Sequence, residues 1–173
     1  MGKILEAVFA SAVVATAFTG CNTTGCTDNQ NSLPLAGFYS MSTKTAITVD
    51  SIGIGGVGRD SLFYGPDSRL SQVYLPFRSQ QDETAYYIRY MSKALDYPEL
   101  IDTLRFHYTS QPYFASEECG AMYRYTITRL DYTRHLIDSV GIVDSLITNA
   151  ELERIHIYFR TADPEKPGEE VAP

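Results

Sequence analysis

Thr103-Leu104-Arg105-Phe106-His107-Tyr108-Thr109 sets an apolar or aromatic side chain at every second position and a polar or charged one between them. A period of two belongs to a β-strand with one face buried and the other in water. The same alternation recurs at Val73, Leu75 and Phe77, and at Ile155, Ile157 and Phe159 against His156, Tyr158 and Arg160. Nine strands are expected, near Leu35 to Met41, Thr45 to Ile54, Leu62 to Tyr64, Leu70 to Phe77, Ala85 to Met91, Thr103 to Thr109, Met122 to Tyr132, Ile137 to Val143 and Arg154 to Arg160. Short strands broken by frequent turn signals predict an all-β fold, an antiparallel β-sandwich of immunoglobulin-like or transthyretin-like kind.

Two of these strands change parity. Ile47 and Val49 lie on one face while Ile52 and Ile54 lie on the other, and Tyr123, Tyr125 and Ile127 give way to Leu130 and Tyr132. One inserted residue inverts every side chain after it, so bulges are expected near Asp50 and Thr128. Ala94 to Ile101 has room for one helical turn, interrupted by Pro98.

Composition agrees with strands. Thirteen Tyr and eight Phe stand against no Trp, and aromatic residues suit a pleated, half-buried surface. The formal charge of −7, from 14 basic and 21 acidic residues, argues against nucleic-acid partners, whose binding depends on neutralising phosphates.

Outward from the strands, the N-terminal end reads as an address. Lys3 precedes an apolar stretch from Val8 to Phe18 that is too short to span a bilayer. Phe18-Thr19-Gly20-Cys21 follows and resembles the lipobox of bacterial lipoproteins, in which the cysteine is acylated and becomes the first residue. Lipidation is therefore expected at Cys21, after a signal peptide of residues 1–20. The other reading is an ordinary secretory peptide with Cys21 merely nearby. Residues 21–32 read as a flexible tether, residues 33–161 as the β-sandwich domain and residues 162–173 as a disordered acidic tail.

With Cys21 carrying lipid, Cys26 and Cys119 remain as an even pair in an oxidising compartment, and a disulfide between them is expected. A metal or redox pair is the competing reading, and it lacks a Cys-x-x-Cys spacing.

Several motifs bear on chemistry. Gly53-Ile54-Gly55-Gly56-Val57-Gly58 suggests a phosphate loop but leads to another strand rather than a helix, so a bulge and a tight turn explain it better. His107, His135 and His156 have no ligand spacing, and no metal or cofactor is called for. No Gly-x-Ser-x-Gly or His-Glu-x-x-His motif is present, which places a hydrolase last among the functions considered. Alternation points Tyr87, Arg89, Arg105, His107, Arg124, His156, Tyr158 and Arg160 away from the core. If their strands share a sheet, its outer face is basic and aromatic on an acidic protein and suits an acidic partner or an anionic glycan. The alternative is an ordinary solvated face.

The triplet Asp, Ser or Thr, aliphatic occurs at Asp50, Asp60, Asp102, Asp138 and Asp144. Aspartate bonding to backbone two residues on explains most of the excess. The triplet also resembles the O-glycosylation acceptor of Bacteroides-type envelopes, with Ser51, Ser61, Thr103, Ser139 and Ser145 as candidate acceptors.

The lipobox, Cys26, Gly58 to Tyr64, Val73 to Phe77, Cys119-Gly120, His135 to Val140 and Ile155 to Phe159 together resemble a family of Bacteroidales envelope lipoproteins classed as a domain of unknown function. The resemblance implies a Gram-negative envelope and a small β domain, and it carries no catalytic residues. The expected protein is thus lipid-anchored, on the periplasmic side of the outer membrane, and non-enzymatic. It would serve as a protein-interaction or accessory subunit with an envelope protein as partner. The alternative is a carbohydrate or small-ligand binding lipoprotein, marked by a cleft with exposed tyrosines.

Overall fold

A computed structural model describes Cys26, residues 31–91 and residues 100–161. The expected signal peptide, Cys21, most of the tether, the helical turn from Ala94 and the acidic tail lie outside the described residues.

Among the described residues there are ten strands and no helix: β1 (Leu35–Ser40), β2 (Ile52–Gly56), β3 (Leu62–Tyr64), β4 (Gln72–Tyr74), β5 (Glu83–Tyr90), β6 (Ile101–Ser116), β7 (Gly120–Tyr132), β8 (Ile137–Ile142), β9 (Leu146–Ile147) and β10 (Glu153–Phe159). They form a four-stranded sheet, β4-β1-β10-β8, and a six-stranded sheet, β3-β2-β5-β6-β7-β9. The fold is an all-β, sandwich-like one. Phe38 and Phe159 of the smaller sheet meet edge to face at 5.2 Å, and Phe159 meets Tyr90 of the larger sheet at 6.5 Å. Leu104, Phe106 and Tyr108, the inward row of the alternating stretch, are buried, and Phe77 stacks on Tyr108 with ring centroids 4.3 Å apart.

The pairing is not wholly antiparallel. β1 runs parallel to β10, with Phe38 opposite Ile157 and Ser40 opposite Phe159. Parallel neighbours need a long connection, and here the connection is the rest of the domain.

The two parity changes have different causes. At Thr128 the expected bulge is present: His107 pairs with Arg129 and Tyr108 with Ile127, which leaves Thr128 unpaired. At Asp50 the chain instead changes sheets. Ala46 bridges Tyr39 and Val49 bridges Leu70, Ser51 takes a left-handed φ of 54°, and β2 then opens against β5.

β6 and β7 run on beyond the expected strand ends as a hairpin, pairing as far as Ser116 and Gly120. This arm extends past the end of β5, whose last partner on β6 is His107. Pro112 is tolerated there because, among the described residues, no strand pairs with that edge of β6 and requires its missing N–H. The Cys26–Cys119 disulfide, with Cα atoms 4.6 Å apart, joins the N-terminal segment to the end of the hairpin. It closes a separation of 93 residues, worth at most about 4 to 5 kcal/mol in the chain-entropy account.

The glycine run is explained by close packing. Outward-facing Gly53 and Gly55 lie beneath Leu62 and the Tyr87 hydroxyl, and Gly58 turns the chain at a φ of 79°. Phe63 is skipped where β3 pairs with β2, so the bulge falls on β3.

After β7 the chain crosses to β8 in the other sheet, and a buried carboxylate holds the crossing. Asp102 is fully buried at an inward position of β6. Its Oδ1 accepts hydrogen bonds from the Thr133 hydroxyl at 2.7 Å and the His135 N–H at 2.8 Å, and lies 3.1 Å from His135 Nδ1. Its Oδ2 accepts from the Tyr90 hydroxyl at 2.8 Å, the Leu136 N–H at 2.9 Å and the Ile137 N–H at 3.0 Å. Burial works against the charge, but the N–H groups of Ile137 and His135 and the Thr133 and Tyr90 hydroxyls outweigh it and hold the carboxyl below its ordinary range.

Asp102→Asn places an amide NH₂ among these donors and should destabilise the protein by at least about 3 kcal/mol in denaturant unfolding with the disulfide intact. Because the folded carboxyl is depressed, its contribution is complete above the ordinary aspartate value of about 4 and is lost as pH falls through the folded value. The gap between the two proteins should therefore narrow in acid, and a gap that stays constant would contradict this assignment.

Candidate functional site

The eight outward residues do not share a face. Tyr87, Arg89, Arg105, His107 and Arg124 belong to the six-stranded sheet, whereas His156 and Tyr158 belong to β10 of the four-stranded sheet, which Arg160 directly follows. Alternation assigns a side chain to the outside of its own sheet but is silent on which sheet the strand joins.

On the six-stranded sheet the charges pair with one another. Arg105 forms an ion pair with Glu83. His107 lies between two carboxylates, Nδ1 being 3.4 Å from Glu83 and Nε2 3.0 Å from Asp131. Arg129 completes the row at 3.0 Å from Asp131. The His107 hydrogen bond is the largest influence, and with the charge and hydrogen bond of Arg129 it outweighs the opposing desolvation and lowers the Asp131 carboxyl below its usual range. Arg89 lies over the Tyr87 ring at 5.7 Å, and Arg124 donates to Gln111 at 3.1 Å. The expected basic face is thus largely neutralised by Glu83 and Asp131, which sequence reading missed because register alone brings them beside His107 and Arg105.

On the four-stranded sheet a second cluster surrounds Glu153. Its carboxylate lies across Gly37, where any Cβ would overlap it. Oε1 accepts from the Tyr39 hydroxyl at 2.5 Å and lies 2.8 Å from His156 Nε2, and Oε2 accepts from Gln72 at 2.8 Å. Tyr39 packs on His156 at 4.3 Å and on Tyr158 at 5.6 Å, and Lys44 caps the Tyr158 ring at 4.8 Å. The hydrogen bond to Glu153, then burial and the carboxylate charge, push the Tyr39 phenol up to about 12. The i, i+3 spacing of Glu153 and His156 is the part of this cluster present in sequence. Arg160 stands apart, with Nε 3.4 Å from Asp138 and Nη1 donating to the His135 carbonyl at 3.2 Å.

A cleft of about 890 Å³ opens between the Pro76–Gln81 segment and the start of β7, and Phe77, Met122, Tyr123 and Tyr125 contribute to its wall. Its volume falls within the range of small-molecule sites, and Tyr123 is 37 % exposed.

Of the candidate acceptors, Ser61 and Ser145 are exposed, whereas Ser51, Thr103 and Ser139 are half-buried. Their aspartates take different roles: Asp144 accepts the N–H of Leu146 two residues on, at 2.9 Å, while Asp102 turns into the core. Among the described residues no group of three or more His, Cys, Asp or Glu is arranged to hold a metal ion.

The sequence profile of a family of unknown function, DUF6452, matches residues 51–159. The chain belongs to this family. The match to DUF6452 runs from the start of β2 to the end of β10, taking in the Asp102 crossing, both carboxylate clusters apart from Gly37, Tyr39 and Lys44, and Cys119. No curated protein and no solved structure matches the chain.

Two titrations test these clusters. Ring-carbon NMR should show Tyr39 neutral until about pH 12, and Glu153→Gln should return it toward the ordinary phenol value near 10. Since the folded phenol is raised, the stability it provides is complete below the ordinary value and is lost as pH rises through the folded one. The Asp131 carboxyl should titrate below a solvent-exposed aspartate and move upward in His107→Gln. No movement in that variant would mean that His107 does not bind it in solution.

Proposed function

We propose that this member of DUF6452 is a lipid-anchored envelope protein of a Bacteroidales-type Gram-negative cell, anchored through Cys21 on the periplasmic side of the outer membrane. It acts by binding, as a protein-interaction or accessory subunit. The Cys26–Cys119 disulfide carries the reading. A disulfide fits an exported protein, and this one lies five residues beyond the lipobox cysteine. Exposed apolar side chains at Val143 and Leu152 are available to a partner.

The cleft favours a second reading, a carbohydrate or small-ligand binding lipoprotein, because Tyr123 offers an aromatic face at its opening. Exposed Ser61 and Ser145 are the favoured acceptors if the chain is glycosylated.

The native protein should have an intact mass lacking residues 1–20 and carrying acyl chains, and Cys21→Ala should move it from the detergent phase to the aqueous one. Purification after cross-linking in the native host should bring a reproducible envelope partner. If the protein comes alone, the partner reading gives way to the ligand reading. On a glycan array, Tyr123→Ala should then weaken binding roughly tenfold, the equivalent of about 1.4 kcal/mol.

A further inference from the structure

We infer that the disulfide stands the domain on the end of its β6–β7 hairpin, with Phe114 and Tyr123 resting on the lipid interface of the bilayer that holds the anchor. The inference builds on lipidation at Cys21. Five residues separate Cys21 from Cys26, and five residues fully extended span at most about 18 Å. Cys119 therefore stays close to the membrane whatever path those residues take, because its Cα is 4.6 Å from that of Cys26. Without the disulfide, the nearest buried residue is Ser32, whose Oγ lies 3.7 Å from Met122 Sδ; it is eleven residues from Cys21, a reach of about 40 Å that leaves the domain far freer to turn.

The hairpin is built for such a contact. Phe114 continues the inward row of Leu104, Phe106 and Tyr108 past the end of the sandwich and is 67 % exposed. Tyr123, 37 % exposed, is on the partner strand opposite Pro112. A Phe beside a Tyr, apolar in body with one hydroxyl, suits the boundary between headgroups and acyl chains. The arm is braced: the Tyr113 hydroxyl donates to Asn149 Oδ1 at 2.8 Å and accepts the Asn149 N–H at 3.2 Å. Exposed Glu117 and Glu118 at the turn keep the contact at headgroup depth, since carboxylates do not enter hydrocarbon without large cost.

The chain has no Trp, so a single Trp reports its own position. Full-length lipidated protein bearing Phe114→Trp, in phosphatidylethanolamine and phosphatidylglycerol vesicles containing headgroup spin-labelled lipid, should be quenched several-fold more than protein bearing Met91→Trp. Met91 lies near the opposite end of β6, about 40 Å away along the strand and is exposed. Adding Cys26→Ser and Cys119→Ser, with cooperative thermal unfolding retained, should abolish the difference while the protein still sediments with the vesicles.

Equal quenching at both positions in protein shown by mass to be acylated overturns the orientation and leaves the anchor standing. Unchanged quenching without the disulfide overturns the role of the cysteines. Absence of acylation removes the anchor and this inference with it. In-cell cross-linking of position 114 to another protein, with quenching low, overturns the membrane contact in favour of a protein dock.

Discussion

A carboxylate with no exposure to water is tolerated only where donors replace the solvent it has lost. Asp102 meets that condition with three backbone N–H groups and two hydroxyls, and these come from two places. Tyr90 belongs to the adjacent strand of the same sheet, and the segment from Thr133 to Ile137 carries the chain to the other sheet. The crossing delivers β8, β8 pairs with β10, and β10 provides the parallel edge for β1. The layer opposite the large sheet is therefore placed by the residues that satisfy one charge.

Much of this was legible in sequence, because burial on one face imposes alternation. The stretch from Thr103 to Thr109 announces its inward row, and the parity change after Ile127 locates the unpaired Thr128. Asp102 stands on that same inward parity, so its place in the core was written in the pattern, although an aspartate before a threonine reads first as a turn. At Asp50 the pattern was right and its cause different, since a bulge and a change of sheet invert the faces alike. The pairing of β1 with β10 left no local mark, because it joins strands at opposite ends of the domain. β9, only two residues long, has too few positions to show a period. The hairpin arm outran its expected ends because neither face of an isolated ribbon needs to alternate.

The surfaces tell a related story. In the two carboxylate clusters the side chains pair with one another: Glu83 and Asp131 answer Arg105, His107 and Arg129, and Glu153 answers Tyr39, His156 and Gln72. A charge engaged in this way contributes little to capturing a partner, because its existing contacts must be broken first. Among the described residues, exposed aromatic and apolar side chains stand at the hairpin, in the cleft beside it and at scattered positions. The match to DUF6452 covers these features of the body of the domain, while β1 and Cys26 precede it.

The parallel pairing of β1 and β10 also bears on how the domain carries tension. The chain comes into β1 at Leu35 and leaves β10 at Phe159, and Leu35 lies opposite Glu153 while Ser40 lies opposite Phe159. A pull between those two points acts along the strands and from opposite ends, so the hydrogen bonds joining them are loaded together in shear. Antiparallel neighbours pulled from one end would part in succession, like a zip. A load applied between Leu35 and Phe159 thus meets the bonds of that pair acting in concert.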